Sequence, residues 1–107
     1  MAETAGLSRR LELVPGDLGE TAQGYVTANP GFRISLLHLD LDAYAGTRAA
    51  LEALWPRVSR GGVVVLDEYG ARGWGESQAV DEYFADQHVE IKAVPNASQP
   101  TAYIVKP

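Results

Sequence analysis

The chain is predicted to be an α/β protein: a mostly parallel sheet with helices packed on it, closed by an antiparallel hairpin at its C-terminal end. Three observations predict this. Two β-branched or leucine-rich runs, Ile34–Leu41 and Val63–Leu66, each end in acidic residues. A stretch with helical periodicity lies between them, and strands alternating with helices imply parallel pairing with helices on the sheet. Two further apolar runs, Val89–Val94 and Ala102–Val105, are separated only by a Pro95–Thr101 loop, which suits a long hairpin.

Taken in order, residues 1–10 are small and polar and form a frayed lead-in. Leu11, Leu13 and Val14 form a short strand that stops at the turn signal Pro15-Gly16-Asp17. Residues 18–31 carry Gly19, Gly24, Pro30 and Gly31, leaving room for one weak helical turn around Glu20 to Tyr25. The run ISLLHLDL, Ile34 to Leu41, is nearly continuous in apolar residues, as in a strand covered on both faces. Tyr44 to Arg57 is a helix whose Leu51, Leu54, Trp55 and Val58 fall at i, i+3, i+4 and i+7. Pro56 distorts or ends its last turn. Ser59-Arg60-Gly61-Gly62 turns the chain back into the Val63–Leu66 strand, followed by Asp67 and Glu68. A Gly70–Gly75 loop holds Trp74, and Glu76 to Gln87 is a second helix with Val80, Tyr83 and Phe84 on one face.

Composition narrows the function classes. With 107 residues, the chain is read as one α/β domain, 1–107, without a linker, repeat or low-complexity segment. Nine Lys/Arg against 14 Asp/Glu give a net charge of −5, which speaks against nucleic acid as a partner. No apolar run approaches the roughly 18 residues of a membrane span, and the first ten residues have no apolar signal core, so a cytoplasmic protein is expected. The absence of cysteine excludes disulfides, thiolate metal sites and thiol catalysis.

The chemistry is concentrated at strand ends. In an open parallel sheet, ligands bind beyond the carboxyl ends of the strands. Asp40 ends one central strand, and Asp67 and Glu68 end the next, after one crossover helix. Three carboxylates at one edge repel, and a hard cation such as Mg²⁺ offsets this with oxygen ligands and water. The competing reading is that these acids are solvated or cap the following helix. Asp42 is a further possible ligand or base, but its position before Tyr44 suits a helix cap better. His38 lies two residues before Asp40 and is a candidate proton acceptor. Its place inside an apolar run favours a buried, hydrogen-bonded core histidine instead. Tyr69 and Trp74 follow the acidic pair and are candidate walls of a substrate pocket; they suit the core equally well. The run VVVLDE is like a nucleotidase Walker B strand, but no GxxxxGK[ST] is present. No GxGxxG follows a strand, and His38 and His88 are not spaced as a zinc pair.

The segments LHLDLDAY, GTRAALEALWPRVSRGG, VVVLDEYG and GESQAVDEYF resemble the macrocin O-methyltransferase (TylF-type) family, class I S-adenosylmethionine-dependent enzymes acting on sugar hydroxyls. The resemblance extends from about Leu11 to Lys106. It implies a Rossmann-like methyltransferase sheet and a Mg²⁺ site made by Asp40, Asp67 and Glu68. The family's usual pair is Asp-Asp, so Glu68 is a departure. Catechol-type methyltransferases have a lysine base three residues after the first Asp, where this chain has Ala43. Asp40 and His38 remain as the catalytic candidates. Asp17 falls where an acid or amide often meets the adenine ring in such enzymes, and suits equally well a turn residue bonded to its own backbone.

The resemblance also implies that the Gly-rich loop and ribose-binding acid of the cofactor site lie in a part of the family fold not represented here. The expectation is therefore a truncated, C-terminal part of a methyltransferase, acting on a sugar or other small-molecule hydroxyl when a homo-oligomer or a complementary N-terminal half completes it. The alternative is a catalytically silent remnant, or a divalent-metal-binding or self-associating module.

Overall fold

A computed structural model describes residues 10–41, 43–67, 69, 75–96 and 101–107. The elements are α1 (Leu18–Ala28), β1 (Ile34–Leu39), α2 (Tyr44–Leu54) with a 3₁₀ turn (Trp55–Arg57), β2 (Val58–Asp67), α3 (Glu76–Tyr83), β3 (Lys92–Ala93) and β4 (Thr101–Val105). The sheet order is β1-β2-β4-β3. β1 and β2 are parallel, as the α2 crossover requires. β4 is antiparallel to β2 and to β3, so the expected C-terminal hairpin is present and the sheet as a whole is mixed.

The register sorts the sheet into rows. Leu37, Val64 and Ile104 stand side by side, as do Leu39, Leu66 and Ala102. These rows face the helices and join Ala50, Leu51, Trp55, Val80 and Phe84 in one core. Alternation of side chains along a strand sends the intervening rows to the other face. Leu36, Val63 and Val105 form one of these, and His38, Val65, Tyr103 and Lys92 the other. Leu36 is 64% exposed and Val105 43%. Two-sided burial of the first strand, expected from its apolar run, therefore does not hold: only one face is covered among the described residues. α2 packs against α1, α3 and β1, so the helices form a single layer.

Several local expectations are revised. Among the described residues Leu11–Val14 pairs with no strand; its side chains are exposed, Leu13 most of all at 81%. A three-residue apolar segment has too few backbone partners to hold itself in a sheet. The weak turn near Glu20 is instead an eleven-residue helix, α1. Burial of Ala22 and Val26 and packing against α2 outweigh the cost of Gly19 and Gly24, because tertiary contact rather than propensity supplies most helical stability.

β2 begins at Val58, so the glycine turn is built into the strand. The β1–β2 register shifts there, from Ile34↔Val58 to Leu36↔Val63. A Cβ on Gly62 would lie 2.8 Å from the Ser59 carbonyl oxygen and 3.1 Å from that of Ile34, so the shift needs glycine. Pro56 sits in the 3₁₀ turn and ends α2 as anticipated.

Three polar clamps join separate elements. Arg57 donates from Nη2 to the Val26 carbonyl at 2.9 Å, and from Nη1 to the carbonyls of Asn29 and Pro30 at 3.0 Å each. It thereby satisfies carbonyls left open where α1 ends. Tyr44 donates to Glu82 at 2.6 Å, tying α2 to α3. Lys106 Nζ donates to the Trp55 carbonyl at 2.8 Å and lies 4.2 Å from the Trp55 ring centroid.

Candidate functional site

The parallel β1–β2 pair ends with Leu39 opposite Leu66. One position further on are Asp40, exposed, and Asp67, half-buried. The two acids thus occupy neighbouring carboxyl ends of hydrogen-bonded parallel strands, the arrangement expected from the crossover. Asp67 also lies opposite Thr101 of β4. Glu68, Asp42 and Trp74 fall outside the described residues. Among the described residues, no group of three or more His, Cys, Asp or Glu is gathered closely enough to hold a metal ion. Asp40 and Asp67 are the two members of the expected carboxylate set that lie among the described residues.

α2 starts beside this edge. Its N-cap position is Ala43, which makes no side-chain cap bond; the cap expected from Asp42 lies outside the described residues. Thr47 supplies local order instead, donating to the Leu41 and Ala43 carbonyls at 3.2 and 2.9 Å. The start of α3 comes against the start of α2: a Cβ on Gly75 would fall 2.5 Å from the Tyr44 nitrogen. Glu76, the first residue of α3, is only 2% exposed. Sequence reasoning placed it merely at a helix start. A carboxylate there suits the positive end of the helix dipole, but nothing in the sequence marks it as buried.

His38 is exposed on the open sheet face, beside Val65. The expected buried core histidine is therefore corrected: the strand is apolar, but only its other face is covered. His38 follows the alternation that puts it on the uncovered side.

Asp17 stands at the N-cap of α1 without a side-chain cap bond. Its backbone carbonyl accepts from Thr21 N at 2.8 Å and Glu20 N at 3.1 Å. Tyr69, partly buried against the core, donates to Asp81 of α3 at 2.5 Å. Burial first, and this bond second, push its phenol up to about 12. Tyr69 thus links the end of β2 to α3.

Beside the lead-in, a cavity of about 350 Å³ lies between Val14, Leu18, Ala22, Tyr25, Phe32 and Leu54. Glu12 at its rim accepts from the Tyr25 hydroxyl at 2.8 Å. No helix among the described residues is long and apolar enough to cross a membrane.

Comparisons with known proteins agree with this architecture. The family profile of macrocin-O-methyltransferase (TylF) matches residues 8–98. A curated relative from Streptomyces olivaceus, 8-demethyl-8-(2,3-dimethoxy-alpha-L-rhamnosyl)-tetracenomycin-C 4'-O-methyltransferase, is 38% identical over 63 residues, covering 59% of this chain and 23% of its own length. The solved apo structure of a TDP-rhamnose 3'-O-methyltransferase of calicheamicin biosynthesis superposes with a TM-score of 0.82 at 34% identity, over 95% of this chain and 44% of that one. The O-methyltransferase NovP superposes with a TM-score of 0.72 at 30% identity, over 86% of this chain and 36% of that one. The chain therefore spans less than half the length of these relatives. The fold is an α/β methyltransferase-like one, and with most of its length matched, the chain belongs to the macrocin O-methyltransferase (TylF) family.

Proposed function

We propose that this chain carries the acidic, acceptor-side part of an S-adenosylmethionine-dependent O-methyltransferase acting on a sugar hydroxyl. The observation that carries the reading is the placement of Asp40 and Asp67 on adjacent carboxyl ends of parallel strands, within a family of O-methyltransferases. In the reaction the hydroxyl oxygen attacks the sulfonium methyl group. The S–CH₃ bond breaks as the O–CH₃ bond forms, the hydroxyl proton passes to a base, and S-adenosylhomocysteine leaves. Asp40, exposed at the strand end, is the base in this reading where no cation occupies the edge; with a cation held there it serves as a ligand. His38 is the weaker candidate, because it lies on the open face rather than at the strand end. Asp40, Asp67 and Glu68 would hold a divalent cation. When bound, such an ion lowers the pKa of a coordinated hydroxyl.

The pocket walls Tyr69 and Trp74, and an adenine contact from Asp17, complete the proposal. Tyr69 fits such a wall less well than a bracing role, given its bond to Asp81. A second copy or a complementary segment that completes the site is part of the same proposal.

A second reading, a catalytically silent or self-associating module, is favoured by one observation: β1 lies at the outer edge of the sheet. Calorimetric titration with S-adenosylmethionine separates the two. Micromolar binding by the 107-residue chain, with methyl transfer to a rhamnose-type acceptor, supports the enzyme. No binding by the folded chain sinks it as an autonomous enzyme.

A further inference from the structure

Two consecutive acids of α3 each hold a tyrosine from another part of the chain. Tyr44 donates to Glu82 Oε1 at 2.6 Å, and Tyr69 donates to Asp81 Oδ1 at 2.5 Å. Consecutive residues on a helix point roughly 100° apart, so one short helix reaches two neighbours at once. Tyr44 opens α2, four residues after Asp40, and Tyr69 comes two residues after Asp67. Each acid-bearing strand end is thus tied to α3 within a few residues.

The β1–β2 register ends at Leu39 and Leu66, one position before both acids. Beyond that pair the ladder no longer holds the end of β1 to the end of β2, and two carboxylates placed there repel. α3 joins the two ends from a firm base. Its Val80 and the adjoining Phe84 are buried in the core, and its N-cap Gly75 lies against the Tyr44 backbone. Glu82 is aimed from both helices: Gln78 donates to Oε2 at 2.8 Å, and Arg48 of α2 lies 3.9 Å from Oε1. Asp81 and Glu82 are exposed, and Tyr44 is 37% exposed. Bonds that exchange readily with water add little to global stability, so these ties act chiefly on local geometry.

We propose that α3 is a brace for the acidic edge, with Asp81 and Glu82 as positioning residues that fix, through Tyr69 and Tyr44, how the Asp67 end of β2 stands relative to the Asp40 end of β1. The inference rests on the reading of that edge as the acceptor side. Neither acid touches substrate in it; each acts through its tyrosine.

Spin labelling and hydrogen exchange test this. The chain has no cysteine, so nitroxides on Asp40→Cys and Asp67→Cys report only the separation of the two strand ends. Adding Asp81→Ala and Glu82→Ala is expected to widen the spread of label distances while circular dichroism is unchanged. Alanine favours a helix at least as well as either acid, so α3 itself is not weakened. In the unlabelled chain the same two alanines are expected to speed exchange at the amides of Leu39, Thr47, Leu66 and Asp67 by about tenfold. This second measurement decides the matter should the labelled chain fold poorly. Asp81→Asn with Glu82→Gln keeps an acceptor oxygen for each tyrosine and is expected to restore both readouts. Unchanged distances and exchange in the alanine variant overturn the proposal. So does loss of the folded signal, or equal acceleration at every amide, because the ties then hold the fold at large. Magnesium calorimetry on the same chains reads the edge itself: binding is expected to weaken several-fold with the alanines and to recover with the amides. An unsubstituted chain that binds no magnesium counts against the cation reading alone, and the distances and exchange at the strand ends still decide the brace.

Discussion

Asp40 and Asp67 stand one position beyond the Leu39–Leu66 pair, at the same end of two parallel, hydrogen-bonded strands. Both belong to the edge where an open α/β sheet meets its ligand. If they share a cation, each contributes to the same equilibrium. Magnesium calorimetry on the unsubstituted chain is then expected to give a saturable isotherm, with Asp40→Asn and Asp67→Asn each weakening it by about tenfold or more. Indistinguishable isotherms for all three proteins would remove the metal from the site.

Arg57 satisfies carbonyls at the end of α1 and in the loop leading to β1. Arg57→Ala leaves those acceptors without their donor and is expected to cost about 1–3 kcal/mol. Arg57→Lys should recover only part of this, because an ammonium lacks the planar fork that spans several acceptors. Urea unfolding of the three proteins measures it; equal midpoints would show that water replaces the guanidinium without loss.

Tyr69 titrates late, near 12 against an ordinary value of 10.0, because burial and the bond to Asp81 favour the protonated phenol. Its folded pKa lies above its unfolded one, so its contribution to stability is complete below about pH 10 and is lost as pH rises toward 12. Tyr69→Phe is expected to remove that part of the alkaline decline. Ultraviolet titration of the folded chain should likewise lose its slowest-ionising phenol. A variant with an unchanged alkaline profile would place the decline elsewhere.

Gly75 passes against the start of α2, where an added Cβ would fall 2.5–2.8 Å from Tyr44 atoms. Two of these atoms belong to the Tyr44 backbone, so the contact cannot be relieved by a rotamer change. Gly75→Ala is expected to cost about 1–3 kcal/mol and to loosen the α2–α3 junction. Thermal unfolding checks the cost. Gly46, half-buried in α2 and with nothing within 4 Å of an added Cβ, is the control and should tolerate alanine.

Much of the fold was legible in short-range pattern. The Leu51–Leu54–Trp55–Val58 stripe places residues in the core, because helical periodicity reports one-sided burial directly. The C-terminal hairpin was legible because no helix separates its runs. α1 was not, since its glycines argue against a helix and only packing on α2 favours it. Arg57, Tyr44 and Lys106 were passed over as clamps because their partners lie 25 or more residues away in sequence, at distances no local pattern encodes.

By itself the sequence determined the family, the order of elements from β1 onward and the acids that follow the two parallel strands, since each is written in contiguous residues. Tertiary structure decided which sides of the sheet are covered. An apolar run such as ISLLHL states that a strand prefers burial, but not whether a neighbour is present to bury it. All described helices lie in one layer, and β1 falls at the edge of the sheet. The same leucine-rich strand therefore builds the core with Leu37 and Leu39 and leaves Leu36 and His38 facing outward. Burial is a property of the assembled layers, and alternation along the strand then distributes it residue by residue.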